Sequence, residues 1–285
     1  ETVKVGTGLL NNHWTFDARL SNIGTDGYID RASVDLNSYY LQGGYFAENT
    51  SVKLIAFAGK EKTYHAWGYA TKEQMEKFGR RYNPCGEMYT DANGKKYYYD
   101  DQTDNYLQKN YQLLFNHTFS TAWNLNVALH YTKGDGYYEE YKPGSSLVEY
   151  GLKPFNPDGT ETNESDLVRQ KKMDNKFGGG VFSLNYTGNR LTASLGGGLN
   201  QYRGNNFGKV TWVKNYIGNL SPEHEYYRNK SKKTDGNIYL KANYDLTSTL
   251  SAYADLQYRH IDYTIDGVND KYDWNKNALR PLAVD

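Results

Sequence analysis

The sequence predicts an all-β fold: an antiparallel transmembrane β-barrel segment of about ten strands, with short periplasmic turns and long extracellular loops. Three observations carry this reading. Apolar and polar residues alternate with a period of two along one stretch after another. Tight and wide connections take turns down the chain. The composition sets 29 Tyr and 28 Gly against 6 Pro and 3 Met in 285 residues. A soluble all-β domain of this size needs two apolar faces meeting in a core, which demands more Val, Ile, Leu and Phe than this chain offers. A membrane barrel needs only a thin outer apolar band, aromatic girdles and a polar interior.

Taken in order, the chain opens on a strand over Thr2–Leu9 and turns at Asn11-Asn12. In Trp14–Tyr28, residues Trp14, Phe16, Ala18 and Leu20 share one face, and Thr15, Asp17, Arg19 and Ser21 the other. A wide connection, Gly24–Asp35, leads to the return strand Leu36–Ala47. The tight turn Glu48-Asn-Thr50 then leads into Ser51–Tyr64, whose apolar face is Val52, Leu54, Ala56 and Ala58. The long connection His65–Asn105 contains a predicted short helix over Lys72–Phe78, with Thr71 as N-cap. It also contains a predicted hairpin turn, Asp91-Ala-Asn-Gly94. Tyr106–Phe119 and Trp123–Tyr138 follow, joined by Ser120-Thr-Ala122. The second of these puts Trp123, Leu125, Val127, Leu129 and Tyr131 on one face. After the wide connection Glu139–Asp174 come Asn175–Thr187 and Arg190–Arg203, joined at Gly188-Asn189. After Gly204–Thr234 come Asp235–Asp245 and Thr249–Ile265, joined by Leu246-Thr-Ser248. The tail from Asp266 reads as the start of another long loop. Structureless connections beyond about 12–15 residues are uncommon in compact domains unless functional or disordered. Here they all fall on one side.

Charge and motifs exclude several classes. Lys plus Arg and Asp plus Glu are equal at 33 each, so nothing attracts the chain generally to nucleic acid, and no nucleic-acid partner is expected. Cys85 is the single cysteine, which excludes an internal disulfide framework and a multi-thiolate zinc cluster. No apolar run reaches the length of a membrane helix, and Glu1-Thr-Val-Lys is not a signal peptide. The six histidines lack ligand spacing, and neither His-Glu-x-x-His nor a nucleophile elbow occurs. Glu139 and Glu140, adjacent on a strand, face opposite ways and cannot share an acid/base site. The expectation is no enzyme, no catalytic residue, no metal site and no cofactor.

With strands and loops placed, Arg19-Leu-Ser-Asn-Ile-Gly-Thr-Asp-Gly-Tyr-Ile-Asp-Arg-Ala-Ser33 resembles the first barrel hairpins of TonB-dependent outer-membrane receptors. In that family an Asp-Gly-Tyr segment with a nearby basic residue follows an early strand. Tyr45–Tyr64, Tyr111-Gln-Leu-Leu-Phe115, Trp123–Tyr131 and Gly134–Tyr141 look like the same family in Bacteroides-type bacteria. The resemblance implies a cell outer-membrane location and a 22-stranded barrel around a plug. It also implies ligand capture by extracellular loops, with energy supplied through TonB-ExbB-ExbD. Residues 1–285 are then one partial β-barrel domain of a larger receptor, without the plug domain, the TonB-contact segment or the remaining strands. The expected partners are the lipid bilayer and a small-molecule nutrient: most often a ferric siderophore, otherwise cobalamin, haem or a glycan.

The candidate ligand-binding residues come from two connections rich in rings and cations, which stack on flat ligands and donate charge-assisted hydrogen bonds. From His65–Asn105 they are Trp67, Tyr69, Arg80, Arg81, Tyr82, Tyr97 and Tyr99. From Gly204–Thr234 they are Trp212, Tyr227 and Arg228. Tyr137 and Tyr138 read as an interfacial girdle at a strand end. On the wet faces, Asp17 with Arg19, Lys241 with Asp245, and Asp255 with Arg259 read as structural charges lining a lumen. Two alternatives stand beside the receptor: a passive porin-like barrel, and a soluble all-β glycan-binding or adhesin module.

Overall fold

The computed structural model describes residues 1–153, 156, 158–214, 216 and 224–282. Eleven strands form one antiparallel sheet: β1 (Thr2–Gly6), β2 (Trp14–Thr25), β3 (Val34–Phe46), β4 (Thr50–Tyr64), β7 (Thr103–Thr118), β8 (Trp123–Ser146), β9 (Glu164–Thr187), β10 (Leu191–Val213), β11 (Glu225–Asp245), β12 (Ser251–Asp273) and β13 (Ala278–Pro281). Each pairs with its neighbours in chain order. The exception is a two-stranded hairpin, β5 (Glu87–Thr90) with β6 (Lys96–Tyr98), inserted between β4 and β7 beside the helix α1 (Lys72–Phe78). This up-and-down order follows from the tight turns, which leave each strand no partner but the next. At the first turn Asn11 and Asn12 take φ of 48° and 60°, a region asparagine tolerates better than most residues. The helix forms as expected: Thr71 accepts from the Gln74 amide while the Gln74 side chain accepts from the Thr71 amide, a reciprocal cap. Asp91 closes the β5–β6 turn by accepting from the amides of Asn93 and Lys95, both at 2.9 Å.

Three expectations are corrected. Glu139–Asp174 and Gly204–Thr234 are not long loops but mostly paired strand. β8 and β9 run 24 residues each and β10 runs 23, so the connections shrink to residues 147–163 and 214–224. The tail from Asp266 likewise completes β12 and turns back into β13. Above the lipid the strict alternation of apolar and polar residues is lost, so the period-2 signal fades although the ladder continues. Glycines that look like turn signals serve packing instead: a Cβ at Gly134 would collide with the Tyr106 hydroxyl. The expected charge groupings also change, because pairs form across strands rather than along them. Lys241 meets Asp255 at 3.8 Å, and Arg259 Nε donates to Asp235 at 2.9 Å.

The register separates two faces. One carries Trp14, Tyr45, Val52, Phe115, Val127, Phe182, Ile238 and Tyr258 in a single cross-strand row, broken only by Gly197. Phe16, Leu54 and Leu199 on the same face are 51%, 60% and 63% exposed, unpaired apolar surface that water would not tolerate as a continuous sheet. The other face is a ladder of amides and hydroxyls. Asn116 donates to Asn126 at 2.5 Å, Asn126 to Ser183 at 3.3 Å, Ser194 to Asn185 at 2.7 Å and Thr132 to Asn110 at 2.9 Å.

The apolar belt crosses the sheet obliquely. Leu20, its upper edge on β2, lies in register with Thr264 on β12, six residues beyond the belt's edge there at Tyr258. Six residues are about 20 Å of strand, and eight strand-to-strand steps are about 38 Å, a slope of about 30°. Strands of membrane barrels tilt by about 35–45°. The slope therefore sets the belt level while the strands lean. The compact apolar core lies at the far end of β8–β11: Leu147, Tyr150, Leu152, Leu167, Val210, Tyr226 and Tyr227.

Candidate ligand-binding site

The β4–β7 connection is held in place by a polar knot that the sequence reading did not single out. Asn83, almost fully buried, donates to the carbonyls of Asp30 (3.0 Å) and His65 (2.8 Å), and its own carbonyl accepts from the Cys85 amide (3.0 Å). Arg31, at φ 63°, lays its guanidinium 3.4 Å from the Tyr98 ring centroid and donates to the carbonyls of Asn83 and Cys85. Arg81 pairs with Asp30 at 3.2 Å. The β2–β3 and β4–β7 connections are thus tied together, because each supplies hydrogen bonds the other's backbone needs.

Beside this knot, on the polar face, an aromatic shelf forms. Trp67 stacks on His65 at 3.7 Å and meets Tyr138 edge-on at 5.6 Å. His65 is 2% exposed, and neither ring nitrogen has a hydrogen-bond partner among the described residues. Burial holds its imidazole down to about 4, against the opposing pull of Glu140, so it is neutral at physiological pH. Asp104, in register with Tyr138, lies 3.6 Å from His65, and burial pushes its carboxyl up, helped by Glu61 and Glu140. Arg169 grips Glu140 through two donors at 3.0 and 2.8 Å, and Lys171 pairs with Asp270 on the same face. The shelf offers one half-exposed indole and a neutral imidazole, flanked by charges of both signs: groups that stack on a planar or ring-bearing ligand and fix its polar rim.

The ten expected residues divide. Trp67 joins the shelf. Tyr69, 94% exposed, and Arg80, also exposed, project from the same connection. Arg81 is spent on Asp30. Tyr82 is buried against Phe78 with its hydroxyl on Glu87, which together push its phenol up to about 12. Tyr97 stacks on Tyr89 at 4.7 Å in the small hairpin. Tyr99 donates to Glu139, and it forms with Tyr141 and Trp212 a run of rings spaced 6.0 and 6.1 Å apart. By register, Glu139 and Tyr141 lie on the continuation of the apolar face, so this run stands away from the shelf. Trp212, Tyr227 and Arg228 are strand residues rather than loop residues. Tyr227 is buried in the core, and Arg228 is held by Glu225 and by Asn205 at 2.6 Å. Tyr138, read as a girdle residue, instead lies mid-strand on the polar face. The alternation of Tyr131 and Lys133 carried past Gly136 separates it from Tyr137, and that was the available signal. Arg31 and His65 had none, since their roles depend on a loop folding back over them.

A slanted apolar belt on one face and a hydrogen-bonded amide ladder on the other define the wall of a transmembrane β-barrel. Solved structures of similar fold include receptors for iron complexes. The ferric-catecholate import receptor Fiu of E. coli K12 in its open form matches over 100% of this chain at TM-score 0.62 and 11% identity. The ferric yersiniabactin uptake receptor FyuA of Yersinia pestis matches over 99% at 0.59 and 8%. The ferripyoverdine receptor of the outer membrane of Pseudomonas aeruginosa matches over 99% at 0.57 and 12%. At these identities the likeness is one of fold. The chain spans 49%, 39% and 36% of the length of those three. No protein-family model and no curated protein matches the sequence.

Proposed function

We propose that this chain is barrel wall and ligand-facing loops of a TonB-dependent outer-membrane receptor that imports a scarce nutrient, a ferric siderophore first. The observation that carries the reading is the oblique belt on a continuous antiparallel sheet of eleven strands, the pattern expected where lipid meets one side and a polar lumen the other. The fold likeness to receptors for ferric catecholates, ferric yersiniabactin and ferripyoverdine supports the ligand class. On this reading Trp67, Tyr69 and Tyr138 contact the ligand, and Arg80 meets its anionic rim. The remaining candidates brace the loops that present these groups. Capture is by stacking and charge, without bond chemistry, and import draws on TonB-ExbB-ExbD through the rest of the receptor.

The test is binding to the full receptor in detergent, read by tryptophan fluorescence quenching with ferric siderophores, cobalamin, haem and oligosaccharides. A ferric siderophore is expected to bind, with affinity about tenfold weaker in Trp67→Ala, as loss of one aromatic stack implies. Binding of an oligosaccharide with no response to any iron chelate would replace the siderophore by glycan import. A receptor that binds nothing but passes small solutes in vesicles would be a porin. A chain monodisperse without detergent would be the soluble module.

A further inference from the structure

We propose that the aromatic shelf is a cation subsite, in which Trp67 and the carboxylates of Glu61 and Asp104 receive an alkylammonium group carried by the ligand. This rests on the reading of the shelf as the ligand site and deepens it by naming the chemistry of one part of the ligand. It does not depend on the choice of nutrient. The shelf has an open aromatic face. The Trp67 indole lies on the His65 ring at 3.7 Å, meets Tyr138 edge-on at 5.6 Å and stays 48% exposed. Among side-chain rings, indole attracts cations most strongly, through the negative face of its π-system.

Register brings two carboxylates to this place. On the polar face Asp104 stands opposite Tyr138, and Glu61 stands opposite Tyr106, two residues further along β7 on the same face. The Asp104 side chain is 38% exposed, so an incoming group can reach it, and Glu61 is half-buried. Among the described residues the Glu61 carboxylate has no ion pair and no hydrogen bond, and the one group at ion-pair distance from Asp104 is His65, 3.6 Å away. His65 supplies no countercharge. Its side chain is fully buried, neither ring nitrogen makes a hydrogen bond, Nε2 is turned toward Asp104, and burial keeps the imidazole neutral. Buried polar atoms left without partners mark an incomplete network.

The neighbouring cations are already committed. Arg169 is held by Glu140 at 2.8 Å, and Lys171, 5.6 Å from the Tyr138 ring centroid, is held by Asp270. Four carboxylates around the shelf thus meet two cations, and the two left over are Glu61 and Asp104. Burial, with Glu61 and Glu140 adding their negative charge, pushes the Asp104 carboxyl up, and a bound cation would relieve that repulsion. Among the described residues no three His, Cys, Asp or Glu side chains converge as metal ligands. An ammonium needs no such convergence: it takes a ring face on one side and accepting carboxylates on another.

The test uses the full-length protein in detergent, labelled with fluorotryptophan and followed by fluorine NMR, with the Trp67 resonance assigned through Trp67→Phe. The probes are choline and its neutral isostere 3,3-dimethylbutanol. Choline is expected to shift the Trp67 resonance saturably, with a Kd lower than that of the isostere by about tenfold or more. The variant E61Q/D104N is expected to lose that preference, while E73Q/E76Q, on the exposed helix α1, keeps it. Equal Kd values for the two probes in the wild type overturn the proposal without recourse to any variant. A choline response confined to tryptophans other than Trp67 overturns it as well. The underlying reading fails separately: a nutrient that binds and leaves the Trp67 resonance unmoved removes the shelf as the ligand site. A nutrient that moves it while the two probes stay equal removes only the cation subsite.

Discussion

Leu54 and Leu199 occupy the same row of the ladder, connected through Leu113, Leu129 and Gly180, and both are about 60% exposed. Register alone makes them equivalent. The slope of the belt does not: on β4 the belt runs from Val52 to Ala58, which puts Leu54 near its middle. By β10 it has descended far enough to leave Leu199 at its upper edge. An arginine at the bilayer midplane of a barrel costs about 2–4 kcal/mol, and near the interface about 0–1 kcal/mol. Leu54→Arg is therefore expected to destabilise the full-length protein by about 2–4 kcal/mol, and Leu199→Arg by no more than about 1 kcal/mol. Leu240→Arg, mid-belt on β11 although two rows lower in the ladder, joins the costly group. The assay is guanidinium-induced unfolding of the full-length protein in lipid vesicles, with midpoints converted through a shared slope. Equal costs for Leu54 and Leu199 would refute the tilted-wall geometry.

Three further expectations concern the loops. Arg31→Ala removes a cation stacked on Tyr98 and two carbonyl partners, a local loss of about 2–4 kcal/mol. It is expected to raise hydrogen exchange and proteolysis across residues 82–102, with Arg31→Lys failing to restore the planar stack. His65 is neutral when folded, with its value near 4 against about 6.5 in the unfolded chain. Its contribution is fully present above pH 6.5 and is lost as pH falls from there through 4, about 3 kcal/mol in all. Asp104, raised in the folded state, pulls the other way, since its protonation favours the folded form. Local opening around His65, followed by hydrogen exchange, should rise toward pH 4 in the wild type, and His65→Phe should flatten that rise. Tyr69→Ala, at a side chain 94% exposed, is expected to change stability by less than about 0.5 kcal/mol, so any loss of ligand binding there reports contact rather than unfolding.

How much was legible in the sequence differs by level. The period-2 alternation of Trp14–Leu20 and Trp123–Tyr131 determined the strands and which face is apolar, because lipid exposure writes itself directly onto every second residue. The tight turns, being local, determined the up-and-down order, and the Thr71 cap and the Asp91 turn were readable for the same reason. Strand length above the membrane was not readable. At Gly134–Ser146 and Arg203–Val213 apolar and polar residues no longer alternate strictly, and pairing with a neighbouring strand, not any intrinsic pattern, holds the backbone extended. Site residues divided along the same line. Trp67 and Tyr69 were found as rings in a loop, but Tyr82, Tyr99 and Arg81 face inward contacts whose partners lie in other segments. Arg31, His65 and Asn83 gained their roles only when two connections folded against each other.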